Sequence, residues 1–191
     1  MAVDACNYER LTTNEVELVA ENLRNVRSFM SRIDKFKLKY GITNPMVEEN
    51  FSFGNDFVPT EYNKPGEVFK GIWDLVMFPH GTNDVIIIDH KSGEMPSDPH
   101  EIWNRHGKQR RVYAIGALSA FPNIEKVRFA IHYIYNEKIV WAQEVDTVER
   151  IRDVYIPWYF DYLNSCAAKA ATKQACKNWM CNTCGYKNIC S

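Results

Sequence analysis

The stretch "NDVIIIDHKSG", Asn83 to Gly93, joins an apolar strand to a charged end. Three consecutive isoleucines are typical of a strand that is buried on both faces of a sheet. Side chains two residues apart on a strand point the same way, so Asp89 and Lys91 leave the strand end toward one side. The stretch therefore predicts a central strand that delivers an acid and a lysine to a common site.

Length and charge limit the possible partners. The 191 residues suffice for one domain with a real core, and a net charge of -1 means that any polyanion must be held by a local patch. No apolar run approaches the ~18 residues needed to cross a bilayer, and "MAVDACNYER" lacks the hydrophobic core of a signal peptide. We therefore expect a cytoplasmic protein with no membrane partner.

The N-terminal part predicts one long amphipathic helix. Apolar residues recur there in steps of three and four, which makes a single stripe on a helix. We expect this stripe to face the core. Its members are Val16, Val19, Leu23, Val26, Met30 and Ile33.

The rest of the chain alternates strands and helices. Residues 46–93 predict three largely antiparallel strands, and residues 98–121 predict a helix that ends before Pro122. Two further strands follow around the turn residues "NE", and a last helix runs from about Thr147 to Ala171. This order predicts an α/β fold with a mixed central β-sheet flanked by helices.

Asp74 adds a second acid to the predicted site, because it interrupts the apolar strand "FKGIWDLVMF". Burying a lone carboxylate is costly, so Asp74 needs a partner. Two converging carboxylates suit Mg²⁺, and a lysine beside them can stabilise phosphate charge or orient an attacking water. The pattern indicates metal-assisted phosphodiester hydrolysis. The alternative is a structural ion pair between Asp74 and Lys91, with Asp89 capping a turn.

Three motifs together resemble the PD-(D/E)xK nuclease superfamily and, within it, the RecB-like exonuclease branch. They are Gly71-Ile-Trp-Asp74, Ile88-Asp89-His90-Lys91-Ser92-Gly93 and Gln109-Arg-Arg-Val-Tyr113. The resemblance implies a restriction-endonuclease-like core in which Asp74 and Asp89 bind Mg²⁺ or Mn²⁺ and Lys91 is the catalytic lysine. Gln109 and Tyr113, one helical turn apart, would complete the site and touch DNA.

The first strand offers a further acid, because the family often carries a glutamate there. Alternation places Glu48 and Glu49 on opposite faces of the strand. Glu48 is the candidate because Val47, Glu49, Phe51 and Phe53 share the other face, and a solvated strand edge would explain either acid equally well. Many family members also have an active-site histidine on an early helix, and this sequence has no histidine before His80.

The tail "CKNWMCNTCGYKNIC" carries four of the six cysteines. Cys181, Cys184 and Cys190 form a CxxCx5C pattern, whose spacing alone fits either zinc or an iron–sulfur cluster. Resemblance to iron–sulfur members of the RecB-like branch implies a [4Fe-4S] cluster with a fourth ligand upstream. Cys6 occupies that kind of position, and Cys176 is a local rival. Cys166 is expected to be a buried thiol.

Four basic residues surround Gln109 on the predicted helix, and phosphate contacts from such side chains give affinity without sequence readout. We expect them to bind DNA, although a solvated helix face would carry the same charges. His100 and His106 lie nearby and could help, but lone histidines more often have no catalytic role. The four candidate DNA-binding residues are Arg105, Lys108, Arg110 and Arg111.

The expectation is one nuclease domain over residues 1–191: a helical part (1–45), a nuclease core (46–171) and a cluster-binding tail (172–191). It would be a metal-dependent DNA nuclease that acts on ends or single strands. A helicase, recombination or replication partner fits this family, including its viral members. The alternative function is an inactive nuclease-fold module that binds DNA or protein and holds structural zinc.

Overall fold

The structure is a computed structural model and describes residues 13–171. Its helices and strands occur in the predicted order. The elements are α1 (Thr13–Tyr40), β1 (Met46–Phe53), β2 (Phe69–Met77), β3 (Asp84–Lys91), α2 (Pro99–Ala120), β4 (Lys126–Tyr133), β5 (Lys138–Trp141), β6 (Asp146–Thr147), α3 (Val148–Arg150), a π-helical turn (Ile151–Tyr155) and α4 (Ile156–Ala171).

The strands form one mixed sheet in the order β1-β2-β3-β4-β5, with β6 paired to β4. The first three strands are antiparallel, whereas β3 and β4 run parallel along their full length. This is the predicted restriction-endonuclease-like α/β fold. Residues 85–88 of β3 are at most 1% exposed, so the isoleucine run forms the centre of the sheet.

Helices cover both faces of the sheet, and β3 contributes alternate residues to each side. Val85 and Ile87 pack in the cluster formed with α2 and the last helix. Ile86 and Ile88 pack in the second cluster, formed with α1. A strand between two helical layers has no solvated face, which is why its sequence is apolar without alternation.

The core-facing side of α1 differs from the predicted stripe. Leu23 and Met30 are 54% and 51% exposed, so the prediction is wrong for these two residues. Ile33 is buried as expected, and the side chains of the three valines of the stripe lie outside the described set. The helix contacts the sheet through aromatic residues that the stripe omitted. These are Phe29, Phe36 and Tyr40.

Helix α1 packs on the sheet against His90 and His132. Nδ1 of His90 lies 3.2 Å from Nδ1 of His132, and the ring of Phe29 stacks on His132 at 4.3 Å. Ser28 and Arg32 of α1 also bind Glu137, in the turn after β4. His132 is 2% exposed, and burial lowers its pKa to about 4.

The last three helical segments follow one another without a break. Thr147 caps them, because its hydroxyl oxygen accepts a hydrogen bond from the backbone N–H of Arg150. This start agrees with the predicted helix from about Thr147, although sequence periodicity gave no sign of the π-helical turn. Cys166 on α4 is exposed, which corrects the expectation of a buried thiol. Among the residues described, no helix is long and apolar enough to cross a membrane.

Two glycines let α2 approach the sheet closely. A Cβ atom on Gly116 would lie 2.4 Å from the ring of Phe51, and one on Gly71 would lie 2.6 Å from the same ring. The Phe51 ring is therefore sandwiched between β2 and α2, and it also stacks on Trp73 at 4.1 Å. This close packing sets the height of α2 above the sheet and hence the position of its polar residues.

Replacing Gly116 with alanine should destabilise the protein by about 1–3 kcal/mol, because the added methyl overpacks a rigid aromatic contact. Gly107 on the same helix is the matched control, since nothing lies within 4 Å of its added Cβ. Gly107→Ala should stabilise by about 0.5–1 kcal/mol through helix propensity. Urea unfolding of the two variants gives the comparison, and equal shifts would contradict the packing argument.

His132 should make stability depend on pH. Because its folded pKa of about 4 lies below the ordinary 6.5, the folded chain binds fewer protons than the unfolded chain between these values. The free energy of unfolding should fall as the pH drops through this window, by no more than about 1.4 kcal/mol per pH unit. Urea titrations of wild type and His132→Gln should show a shallower fall in the variant. The exposed His100, changed to Gln, should keep the wild-type slope.

Candidate active site

The polar end of β3 lies under α2, where the sheet and the helix meet. Asp89 is 2% exposed, and the Lys91 side chain beside it is 29% exposed. Lys91 Nζ lies 2.7 Å from Oδ2 of Asp89. The acid thus forms the floor of the site, and the lysine reaches its solvent-facing mouth.

Gln109 of α2 holds the other oxygen of the same carboxylate. Its Nε2 donates to Oδ1 of Asp89 at 2.7 Å and to the hydroxyl of Tyr113 at 3.0 Å. Burial raises the pKa of Asp89, against the opposing effects of Lys91. Lys91 and Gln109 therefore favour an ionised carboxylate in a place where desolvation disfavours one.

Tyr113 closes the group on the β2 side. Its hydroxyl donates to the backbone carbonyl of Ile72 at 2.8 Å and lies 3.5 Å from Oδ1 of Asp89. The Phe51 ring meets it edge-on at 5.8 Å. Burial raises the pKa of Tyr113, so the hydroxyl stays protonated and acts as a donor. The predicted pair on one helix face is thus brought to the strand ends.

Asp74 lies where β2 and β3 separate. The last residue pair between β2 and β3 on this side is Leu75 with Ile88. Beyond that pair, Oδ2 of Asp74 accepts a hydrogen bond from the backbone N–H of His90 at 2.6 Å. The Asp74 carboxylate thus takes the place of the next backbone hydrogen bond between the two strands. Asp74 is also an electrostatic neighbour of Asp89, raising its pKa. The alternative ion pair of Asp74 with Lys91 is not formed, since Lys91 pairs with Asp89.

Glu48 does not join this group. It lies opposite Asp74 in the register of β1 and β2, and its φ of +52° is left-handed, which is uncommon for a residue other than glycine. Its charge acts on His90, which faces the α1 side of β3. In the described part of the chain, no hydrogen bond or ion pair links Glu48 to Asp74 or Asp89. The strand is kinked at this point, so simple alternation does not describe it.

The residues present fit a divalent metal ion. Oδ2 of Asp89 is buried, and among the described residues its partner is the Lys91 ammonium at 2.7 Å. A desolvated carboxylate oxygen next to a second carboxylate is a hard-oxygen site of the type that Mg²⁺ prefers. Within residues 13–171, no three His, Cys, Asp or Glu side chains are arranged to hold a metal ion. Water and substrate would therefore supply the remaining ligands.

A comparison with known protein families identifies the superfamily of the chain. The sequence profile of the PD-(D/E)XK nuclease superfamily matches residues 3–191. The chain belongs to the PD-(D/E)XK nuclease superfamily. Members of this superfamily are in general nucleases that act on DNA and typically use Mg²⁺ or Mn²⁺. No curated protein matches the sequence significantly.

Arg110 of this PD-(D/E)XK protein does not belong to an open basic patch. Its Nε and Nη2 donate to the two oxygens of Asp146 at 2.8 and 2.6 Å, and Asp146 is 0% exposed. Tyr155 in the π-helical turn donates to the same carboxylate at 2.5 Å. Arg110 therefore ties α2 to the last helix. Phosphate binding by Arg110 stays a prediction, and two of the three guanidinium nitrogens are engaged by Asp146.

The other three basic residues retain accessible charge to different degrees. Arg105 is exposed and pairs with Glu101 one turn earlier on α2. Lys108 is exposed and lies over the ring of Tyr162 at 5.0 Å. Arg111 is half-buried and lies over Trp158 at 4.8 Å. Arg105 and Lys108 thus remain the better candidates for phosphate contacts.

His106 enters the site, although the sequence indicated at most a supporting role for it. It lies one turn before Gln109 on α2, and its Nε2 is 3.3 Å from the hydroxyl of Tyr133. Lys91, Asp89 and Gln109 all act on its pKa, which burial lowers. The i, i+3 spacing to Gln109 was the one available signal, and it becomes meaningful only once the helix face is known.

The cysteine predictions fall outside the described residues. Cys6 and Cys176 lie there, as do Cys181, Cys184 and Cys190 of the CxxCx5C pattern.

Replacing Arg110 with methionine should lower the free energy of unfolding by about 3–5 kcal/mol, because the buried Asp146 loses its main counter-charge. Arg105→Met on the exposed face of the same helix should change it by less than about 0.5 kcal/mol. Thermal or urea unfolding of both variants measures the difference. A small loss at Arg110 together with weakened DNA binding would restore Arg110 to the DNA-binding surface.

Proposed function

We propose that this protein is a metal-dependent deoxyribonuclease of the RecB-like type that hydrolyses phosphodiester bonds at DNA ends or in single strands. The observation that carries the proposal is the convergence of Asp74, Lys91 and Gln109 on the buried carboxylate of Asp89. A structural ion pair needs two charges. Here the site also contains the second carboxylate of Asp74 and the polar side chains of Gln109 and Tyr113. Burying these polar groups costs free energy, which a bound ligand would offset.

In the proposed site, Asp74 and Asp89 hold Mg²⁺ or Mn²⁺, which when bound supplies Lewis-acid polarisation of the phosphate and a more acidic water. Gln109 keeps Asp89 oriented by its hydrogen bond to Oδ1. Tyr113, whose hydroxyl donates to the carbonyl of Ile72, accepts from Gln109 and so holds that amide in place. Lys91 lies at the mouth and can donate to a phosphate oxygen or to the attacking water. Glu48 acts electrostatically on His90, between Asp89 and Lys91 in the chain, and we assign it a supporting electrostatic role.

The DNA backbone is proposed to lie along α2, which exposes Arg105 and Lys108. Contacts to phosphates give affinity without sequence preference, as end-processing requires. Arg111 contributes from its stacked position on Trp158. The chain as a whole is close to neutral, so this local charge supplies the attraction.

The C-terminal tail is proposed to bind a structural [4Fe-4S] cluster through Cys181, Cys184 and Cys190, with Cys6 or Cys176 as the fourth ligand. Support comes from the CxxCx5C spacing together with the resemblance to iron–sulfur members of the RecB-like branch. Short separations let thiolates converge with little loop-closure cost. The cluster would contribute stability rather than electrons. We place the residues in one domain over 1–191, with the tail as its closing segment.

Purified full-length protein should degrade linear DNA in the presence of Mg²⁺, and Asp89→Asn or Lys91→Met should lower the rate by about 100-fold or more. The matched controls are Asp153→Asn and Lys35→Met, which change exposed residues of the same types. Circular and linear single strands distinguish the mode, because an exonuclease spares the circles. A wild type without Mg²⁺-dependent cleavage would overturn the proposal and favour a nuclease-fold binding module.

Colour and metal content of the same preparation test the tail. A brown protein with iron and acid-labile sulfide supports the cluster, whereas a colourless protein with stoichiometric zinc supports a zinc module. Cys6→Ser and Cys176→Ser, made separately, assign the fourth ligand, because only one of them should lose the bound metal.

A further inference from the structure

His106 lies where α2 crosses the ends of β3 and β4. On β4, Tyr133 pairs in register with Lys91 of β3, so the tyrosine and the lysine end neighbouring strands side by side. Tyr133 is 2% exposed, and its hydroxyl lies 3.3 Å from Nε2 of His106. A buried hydroxyl needs a hydrogen-bond partner, and His106 supplies it. The imidazole is thereby fixed against the sheet, one turn from Gln109.

The amide oxygen of Gln109 can accept a hydrogen bond from His106. Its amide nitrogen serves both Asp89 and Tyr113, so the amide oxygen is left to accept from another donor. The His106 side chain lies within hydrogen-bonding reach of Gln109. A neutral imidazole can accept from the Tyr133 hydroxyl at one nitrogen and donate from the other, which matches the two neighbours.

We propose that His106 is a positioning residue that fixes the amide orientation of Gln109 and, through it, the carboxylate of Asp89. The inference rests on the proposed function for its catalytic consequence, and on geometry for its structural one. Rotating the amide by half a turn would place its oxygen against the carboxylate and remove the hydrogen bond to Oδ1. The N–H of His106 stabilises only the orientation in which the amide nitrogen of Gln109 faces Asp89. Oδ1 of Asp89 is thereby held by Gln109, and Oδ2 is left to face the mouth of the site.

The role predicts a defined kinetic pattern. His106→Ala should lower kcat by about 10- to 100-fold with little change in KM for DNA, as expected for a residue that orients a metal ligand. The half-maximal Mg²⁺ concentration should rise about 10-fold or more. His106→Gln, which retains an N–H donor, should recover most of the activity. Tyr133→Phe should give a smaller loss, because it releases the imidazole without removing it.

A second measurement does not depend on activity. Mn²⁺ affinity, followed by electron paramagnetic resonance in the Lys91→Met background, should weaken about 10-fold or more when His106 becomes alanine. His100→Ala is the control, since His100 is exposed on the first turn of α2. Thermal unfolding of every variant identifies those that lose their fold.

The outcomes separate the two proposals. Active wild type with unchanged kcat, Mg²⁺ dependence and Mn²⁺ affinity in His106→Ala overturns the positioning role and leaves the nuclease standing. Inactive wild type whose Mn²⁺ affinity still depends on His106 overturns the nuclease and keeps the positioning role. If His106→Gln is as impaired as His106→Ala, the donor function assigned to His106 is wrong.

Discussion

The buried carboxylate of Asp89 is the constraint on which the site depends. Desolvation raises its pKa, so an ionised acid at 2% exposure must be compensated by its neighbours. Lys91 supplies charge at one oxygen and Gln109 a hydrogen bond at the other. Because these partners come from different elements, the carboxylate links the stability of the strand end to the position of α2.

Two contacts fix α2 at the height that this carboxylate requires. The Phe51 ring fits between Gly71 and Gly116, where no side chain could be accommodated without movement. On the far side of the helix, Arg110 forms a fork with Asp146 beneath the π-helical turn. One contact sets the approach distance and the other sets the rotation about the helix axis. Together they aim residue 109 at the sheet rather than at solvent.

The sequence predicted the elements and the acids of the site because both follow from local chemistry. An unbroken isoleucine run can only be a buried strand here, and Asp89 and Lys91 follow by its period of two. Arg110 could not be told from its exposed neighbours, since its partner Asp146 is 36 residues away. The position of His106 could not be predicted for the same reason, because its partner Tyr133 is 27 residues away. Glu48 was judged by alternation, which fails at a left-handed residue.

The α1 face of β3 takes part in the site through the backbone. His90 turns its ring toward Phe29 of α1, yet its N–H donates to Asp74 on the strand edge. A strand cannot rotate at one residue without moving its neighbours, so docking the ring of His90 also sets the direction of Asp89. The aromatic contact with α1 therefore steadies both carboxylates from behind. The side chain of His90 points away from the candidate active site, yet His90 helps to set the geometry of that site.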